Sequence, residues 1–210
     1  MPKSEKISLI AFTGAEGSGK STQAKSLAKL LDYPYISTGD MLREVAKNDP
    51  SELGDICRKM FQDHIYLSPQ KILAVLNKRL QQKDINYGVI LDGGFRTVEE
   101  TECFSEMLKE TGRNFSVNVV HLRVPLWQCA DRLMGEGGRK REDDTPEGWL
   151  KRVNEFNIGL GVRMSIIRNR WSLHIIDGNK PEQEISQNIR RRILPNEKLL
   201  SGPVKDPSSL

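Results

Sequence analysis

The stretch FTGAEGSGKSTQ, Phe12–Gln23, decides the fold: glycines and a lysine follow directly on the apolar run ISLIAF, Ile7–Phe12, and precede an amphipathic segment. Gly14-Ala15-Glu16-Gly17-Ser18-Gly19-Lys20-Ser21 matches GxxxxGK[ST], with strand before and helix after as the pattern requires. Glycine lets successive backbone N–H groups turn inward around phosphate oxygens. A helix beginning near Lys20 adds the positive end of its dipole. The expectation is a nucleoside triphosphate site in which Gly14, Gly17, Ser18 and Gly19 form the cradle. Lys20 would reach the β- and γ-phosphates, and a Ser21 or Thr22 hydroxyl would approach Mg²⁺. A glycine-rich turn with a surface lysine is the alternative, and motif and context together speak against it. The loop alone does not separate a kinase from a hydrolytic switch or a motor.

Outward from this loop, five β-rich segments can be picked out: Ile7–Phe12, Tyr33–Ile36, Tyr87–Asp92, Val117–Val124 and Ser172–Asp177. Several are continuous apolar runs, as expected of strands covered on both faces. Helix-like segments, among them Ser21–Leu31, Pro69–Gln82 and Val98–Thr111, lie between them. Alternation of this kind predicts an α/β fold, doubly wound, in three αβα layers around a five-stranded parallel sheet. The expected organisation is one domain over residues 1–193. Residues 37–68 form an insertion of helical character, and the glycine-rich, basic MGEGGRKRE, Met134–Glu142, is expected to be a loop that moves. The polar, proline-containing tail after about Leu194 is expected to be disordered or loosely docked.

Composition narrows the class. With 37% hydrophobic and 29% charged residues the chain fits a soluble globular protein, and no apolar stretch approaches the roughly 20 residues a membrane span needs. The N-terminus runs from charges straight into a strand without a signal-peptide layout, so a cytoplasmic location is expected, with no membrane partner. A net charge of +4 suits an anionic ligand but is too modest to imply nucleic acid. Cys57, Cys103 and Cys129 are far apart, which argues against zinc or a disulfide framework and for small buried hydrophobes.

Two further segments carry chemistry. In ILDGGFRT, Ile90–Thr97, Asp92 closes an apolar strand, where ligands collect in parallel sheets, and is placed to hold Mg²⁺ through water. Gly93 lets a ligand approach the backbone, and Arg96 can grip a phosphate with its planar fork. Later, Arg132, Arg141 and Arg152 bracket the glycine-rich loop. Asp144 and Glu147 read as a capping box that opens a helix. Trp149, Val153 and Phe156 make its apolar stripe, and Arg152 falls off it.

The phosphate loop, STGDMLR (Ser37–Arg43), LDG-x-x-RT, R-x-DD and a late IDGNKP, in this order, resemble the adenylate kinase family of nucleoside monophosphate kinases, from about Ile7 to Ile193. The resemblance implies transfer of the γ-phosphoryl group of ATP to a nucleoside monophosphate, with AMP as the acceptor and Mg²⁺ as cofactor, by a monomer. It makes residues 37–68 the small domain over the acceptor. Thr38, Arg43 and the backbone near Leu67 would contact the monophosphate, and Arg96 would hold its phosphate. Residues 133–142 become a short lid over ATP. Arg132 would lie against the base, with backbone near Lys180 bordering the adenine, and Arg141 and Arg152 would stabilise the transferring group.

The chain departs from the family in four places. Ser21 follows Lys20 where glycine is usual, a pattern closer to thymidylate kinases. Gly94-Phe95 stands in place of Phe-Pro, which predicts a more mobile turn under Arg96. Glu136 replaces a lid arginine. Glu100 replaces a glutamine that faces the acceptor base. An ionised glutamate offers only acceptors, so Glu100 suggests a relaxed or shifted acceptor choice, unless it points to solvent. These departures keep two alternatives in play: a kinase for GMP, UMP, CMP or dTMP, and a nucleotide-binding regulatory protein with weak catalysis.

Overall fold

In Ile7–Thr13 (β1) alternate side chains take opposite faces. Leu9 and Ala11 enter one apolar cluster, Ile10 and Phe12 the other, and all four are buried. The same alternation recurs in Gly88–Asp92 (β3) and Phe115–Arg123 (β4), where Val89, Leu91, Val117 and Val119 face one way and Ile90, Val120 and Leu122 the other. The computed structural model of the chain describes residues 6–135 and 145–195. Its sheet adds Tyr35–Ser37 (β2) and Ser172–Asp177 (β5), in the order β2-β3-β1-β4-β5, with every neighbouring pair parallel. The winding therefore reverses at β1, and a crevice opens at the carboxyl ends beside it.

Helices cover both faces. Lys20–Leu31 (α1) supplies Ala24, Leu27 and Ala28 to one face, joined there by Ile185 and Ile189 of the last helix. Thr38–Asn48 (α2), Glu52–Asp63 (α3), Pro69–Leu80 (α4) and Val98–Glu110 (α5) follow, with Leu126–Met134 (α6), Pro146–Asn157 (α7), Leu160–Arg170 (α8) and Glu182–Ile193 (α9) completing the order. Apolar side chains of α2, α3, α4, α5 and α8 share the cluster on the opposite face. Burying one such Leu, Ile or Phe contributes about 1.5–3 kcal/mol, so these two clusters hold the layers together. A third cluster joins Cys129 and Leu133 of α6 and Trp149, Val153 and Phe156 of α7 to Ala15 in the phosphate loop.

The fold expected from the sequence is the fold observed, with local corrections. Strand β2 begins at Tyr35 and not Tyr33, because Pro34 has no N–H to donate and contributes only its carbonyl, to Ile90 N at 2.9 Å. Thr145 caps α7, its hydroxyl accepting from Gly148 N at 3.0 Å, in place of the expected Asp144–Glu147 box; Asp144 lies outside the described residues. Cys57 and Cys129 are buried as expected, but Cys103 is exposed. Most of the expected lid, with Glu136 and Arg141, and the tail from 196 onward lie outside the described residues. Among the described residues no helix is long and apolar enough to cross a membrane.

Candidate active site

The phosphate loop leaves β1 at its carboxyl end and enters α1 through Gly19, whose φ of 85° lies in the left-handed region. Gly17 is required for a second reason: with φ at 88°, a Cβ there would sit 2.1 Å from the Cys129 carbonyl oxygen. Helix α6 thus packs directly on the loop and fixes its outer wall. Lys20 curls along the loop, its Nζ donating to Ala15 O at 3.3 Å, and lines the cleft between loop and sheet. Ser21 lines the same cleft, whereas Thr22 is exposed and borders a second one.

Opposite the loop stands the end of β3. Asp92 is buried, at 5% exposure, and its Oδ2 accepts a 2.5 Å hydrogen bond from the Tyr35 hydroxyl, while Oδ1 is buried with no partner. Burial, reinforced by the Asp92 carboxylate, pushes the Tyr35 hydroxyl well up from its ordinary range, so it remains a donor. Gly93 has φ at 89°, and a Cβ there would meet Thr38 Oγ1 at 2.5 Å. Thr38 is buried: its hydroxyl accepts from Arg96 Nη2 at 3.1 Å and donates, at 3.4 Å, to Asp92 O. Capping of α2 falls instead to Ser37, which accepts from Asp40 N at 3.2 Å. Arg96 lies over the Tyr66 ring, 5.2 Å from its centroid, and lines the cleft with Lys20, Asp92 and Arg152. Arg43 borders the same space, paired with Asp40 at 3.2 Å and stacked on Phe61. Leu67 contributes a buried side chain to the core beneath α2–α4.

Arg152, expected to act on the transferring group, lines this cleft from α7. It is 6% exposed, and its Nε donates to Glu16 Oε2 at 2.9 Å. Its Nη1 lies 3.2 Å from His64 Nδ1, and its carbonyl accepts from the Tyr66 hydroxyl at 3.1 Å. The Trp149 indole N–H, donating to Glu16 O at 3.2 Å, ties α7 to the same stretch of loop. Two arginines, Arg96 and Arg152, are therefore held through one tyrosine, Tyr66.

On the far side of the loop a second cleft is lined by Ser18, Gly19, Thr22, Arg132 and Lys180. Arg132 donates to Gly178 O at 3.1 Å, bridging α6 to the turn after β5, while Lys180 is exposed.

Glu100 is placed differently from either expectation. It neither lines the cleft nor meets solvent: it is 4% exposed, and its carboxylate accepts from Phe95 N at 2.8 Å and Arg96 N at 3.1 Å. Nor is Gly94-Phe95 a loose turn, since Phe95 is wholly buried between Phe104 and Trp171, with ring centroids at 4.5 and 5.5 Å. Sequence reasoning did not single out Tyr35, Tyr66, His64 or Arg163. Most of their partners lie far away along the chain, and no local pattern marks them.

A phosphate loop at the switch point of a parallel sheet, with Lys20, Arg96 and Arg152 around one cleft, defines a P-loop protein organised for phosphoryl transfer. A family model described as an AAA domain matches residues 13–149. The chain is 34% identical over 183 residues to an adenylate kinase of Cyanothece sp., covering 87% of this chain and 92% of that protein. It is 34% identical over 186 residues to adenylate kinase 1 of Synechocystis sp., covering 89% and 97%. To an adenylate kinase of Brucella abortus it is 32% identical over 193 residues, covering 89% and 98%. The chain belongs to the adenylate kinase family and is an enzyme of the nucleoside monophosphate kinase type.

Proposed function

We propose that the protein transfers the γ-phosphoryl group of ATP to AMP, giving two molecules of ADP. The observation that carries this reading is the convergence of Lys20, Arg96, Arg152 and Asp92 on one cleft beside the phosphate loop. Phosphoryl transfer needs little covalent help, so positioning and charge neutralisation supply the rate. A monophosphate oxygen is already an anionic nucleophile, and no side chain has to remove its proton. Arg96, steered by Thr38 and Tyr66, holds the acceptor phosphate. Lys20 holds the donor phosphates, and Arg152 neutralises charge on the group in flight. Arg141, which lies outside the described residues, joins them in this reading.

Mg²⁺ would be held by Ser21 and, through water, by Asp92, whose unpartnered buried Oδ1 fits that role; the ion would neutralise charge on the donor phosphates. The helices α2 and α3 form the acceptor arm, with Thr38, Arg43 and backbone near Leu67 and Gly93 bordering AMP. Residues 133–142, most of them outside the described residues, would serve as the ATP lid in this reading. Arg132 and Lys180 border the adenine of ATP. Glu100 does not argue against AMP, because both its oxygens are taken by backbone N–H groups. The reading is tested by product formation from Mg·ATP with AMP, GMP, CMP, UMP and dTMP, with Arg96→Ala as control. ADP from AMP, lost in the control, is the expected outcome. Diphosphate from another monophosphate alone would move the acceptor, and no diphosphate from any would end the proposal.

A further inference from the structure

The loop that carries Arg96 has an unusual backbone. Gly93, Gly94 and Phe95 follow one another with φ of 89°, 122° and 55°. Two glycines and a phenylalanine in the left-handed region have no intrinsic reason to stay in place, and for Phe95 the conformation is strained. Something outside the loop must hold it.

Two buried charges do so from opposite sides. Glu100, on the first turn of α5, accepts from both Phe95 N (2.8 Å) and Arg96 N (3.1 Å). Arg163, on α8, is 0% exposed; its Nη1 donates to Phe95 O, its Nη2 donates to Phe156 O, and its guanidinium lies 4.4 Å from the Phe156 ring centroid. The N–H and the C=O of the strained residue are thus both taken by ionic side chains, while its ring is fixed between Phe104 and Trp171. A buried charge is tolerable only when compensated. Burial disfavours the charged form of each side chain; against it, the Arg96 guanidinium and the two backbone N–H donors, and more weakly Arg163, favour the Glu100 carboxylate, and Glu100 in turn favours the Arg163 charge.

We propose that Glu100 and Arg163 are positioning residues: two buried ionic side chains that clamp Phe95 from opposite sides and so aim Arg96 at the acceptor phosphate. This rests on the reading of Arg96 as the arginine that grips that phosphate. Neither side chain touches substrate. Glu100 governs how tightly the acceptor is held and leaves the choice of base alone.

The test compares wild type with Glu100→Gln, Arg163→Met, Arg163→Lys and the double variant Glu100→Gln/Arg163→Met. Amide hydrogen exchange at residues 93–97 is measured without substrate, and steady-state constants are measured for both nucleotides. Glutamine presents an NH₂ to one of the two backbone donors. Methionine removes both carbonyl anchors at similar volume, and lysine keeps the charge without the fork. The clamp predicts exchange at Phe95 and Arg96 at least about tenfold faster in Glu100→Gln and Arg163→Met, with β1 amides unchanged. It predicts an acceptor KM raised about tenfold, an ATP KM within about twofold, and an unchanged ranking of acceptors. Arg163→Lys should lie between wild type and Arg163→Met. The double variant should lose less than the two single losses combined, because both side chains act on the same residue, Phe95.

Unchanged exchange at 93–97, exchange accelerated equally across the sheet, or ATP and acceptor constants moving together would each overturn the proposal. If Arg163→Met does not fold, Glu100→Gln and Arg163→Lys carry the same readouts. If the wild type phosphorylates no monophosphate, the role of Arg96 fails, while the exchange data still decide whether the pair holds the loop.

Discussion

The two sides of the phosphate loop are built in different ways. On the side of Asp92 and Arg96, functional side chains are held by other side chains: Tyr35 on Asp92, Thr38 and Tyr66 on Arg96, Glu16 and His64 on Arg152. On the side of Arg132 and Lys180, the cleft is bordered by loop backbone, an exposed lysine and one arginine that reaches the Gly178 carbonyl. The first arrangement is preorganised, so binding there need not order long side chains at the moment of reaction. The second relies on the loop itself, where backbone N–H groups and a helix end do the holding whatever side chains lie nearby. Substitutions should therefore be costly and selective on the acceptor side and mild on the other.

The largest effect is expected from Arg96→Ala. It should lower kcat/KM for the acceptor by about 10³ while ATP binding, followed by calorimetry, stays near wild type. Next comes Arg152→Met, expected to reduce kcat by about 10²–10³ with little change in either KM, because the charge it neutralises develops in the transition state. Arg152→Lys should recover only a small part, since the Glu16 contact uses Nε of a planar fork. An acceptor-side variant that raised both KM values equally would break the contrast. Arg132→Ala should raise the ATP KM by only about fivefold, one hydrogen bond's worth, and leave the acceptor KM alone.

A last effect concerns stability and not catalysis, and it should touch neither side selectively. His121 on β4 is in register with Thr13, below the phosphate loop, and burial pulls its pKa down from 6.5 to about 4. Between those values the unfolded chain takes up a proton that the folded chain refuses. Stability is therefore fully present above pH 6.5 and is lost as pH falls toward 4, by up to about 3 kcal/mol. Thermal melts across this range should show that slope, and His121→Gln should flatten it.

What the sequence made legible follows from the range of the interactions involved. The phosphate loop, β1 and α1 were readable because motif, strand and helix are contiguous. All five strands were legible as short β-rich, mostly apolar runs for the same reason. The place of Arg96 and Asp92 at the cleft was readable because strand ends in parallel sheets border such crevices. Their supports were not: Tyr35 meets Asp92 across 57 positions, and His64 meets Arg152 across 88. Glu100 misled because the residue type was read against a base it does not face, whereas its partners are backbone amides only four and five positions away. A carboxylate in the first turn of α5, just after two glycines, was the available signal. Arg163 gave none, since an arginine in a short helix reads as solvated and only the packing of α8 against Phe95 and Phe156 buries it.

The preorganised acceptor side should be complete before ATP arrives. Calorimetric titration of AMP into the nucleotide-free protein, in wild type and Arg96→Ala, measures this. Saturable binding at one site in wild type, weakened at least about tenfold by the substitution, is the predicted result. No AMP binding without ATP, or binding indifferent to Arg96, would contradict a prebuilt acceptor site.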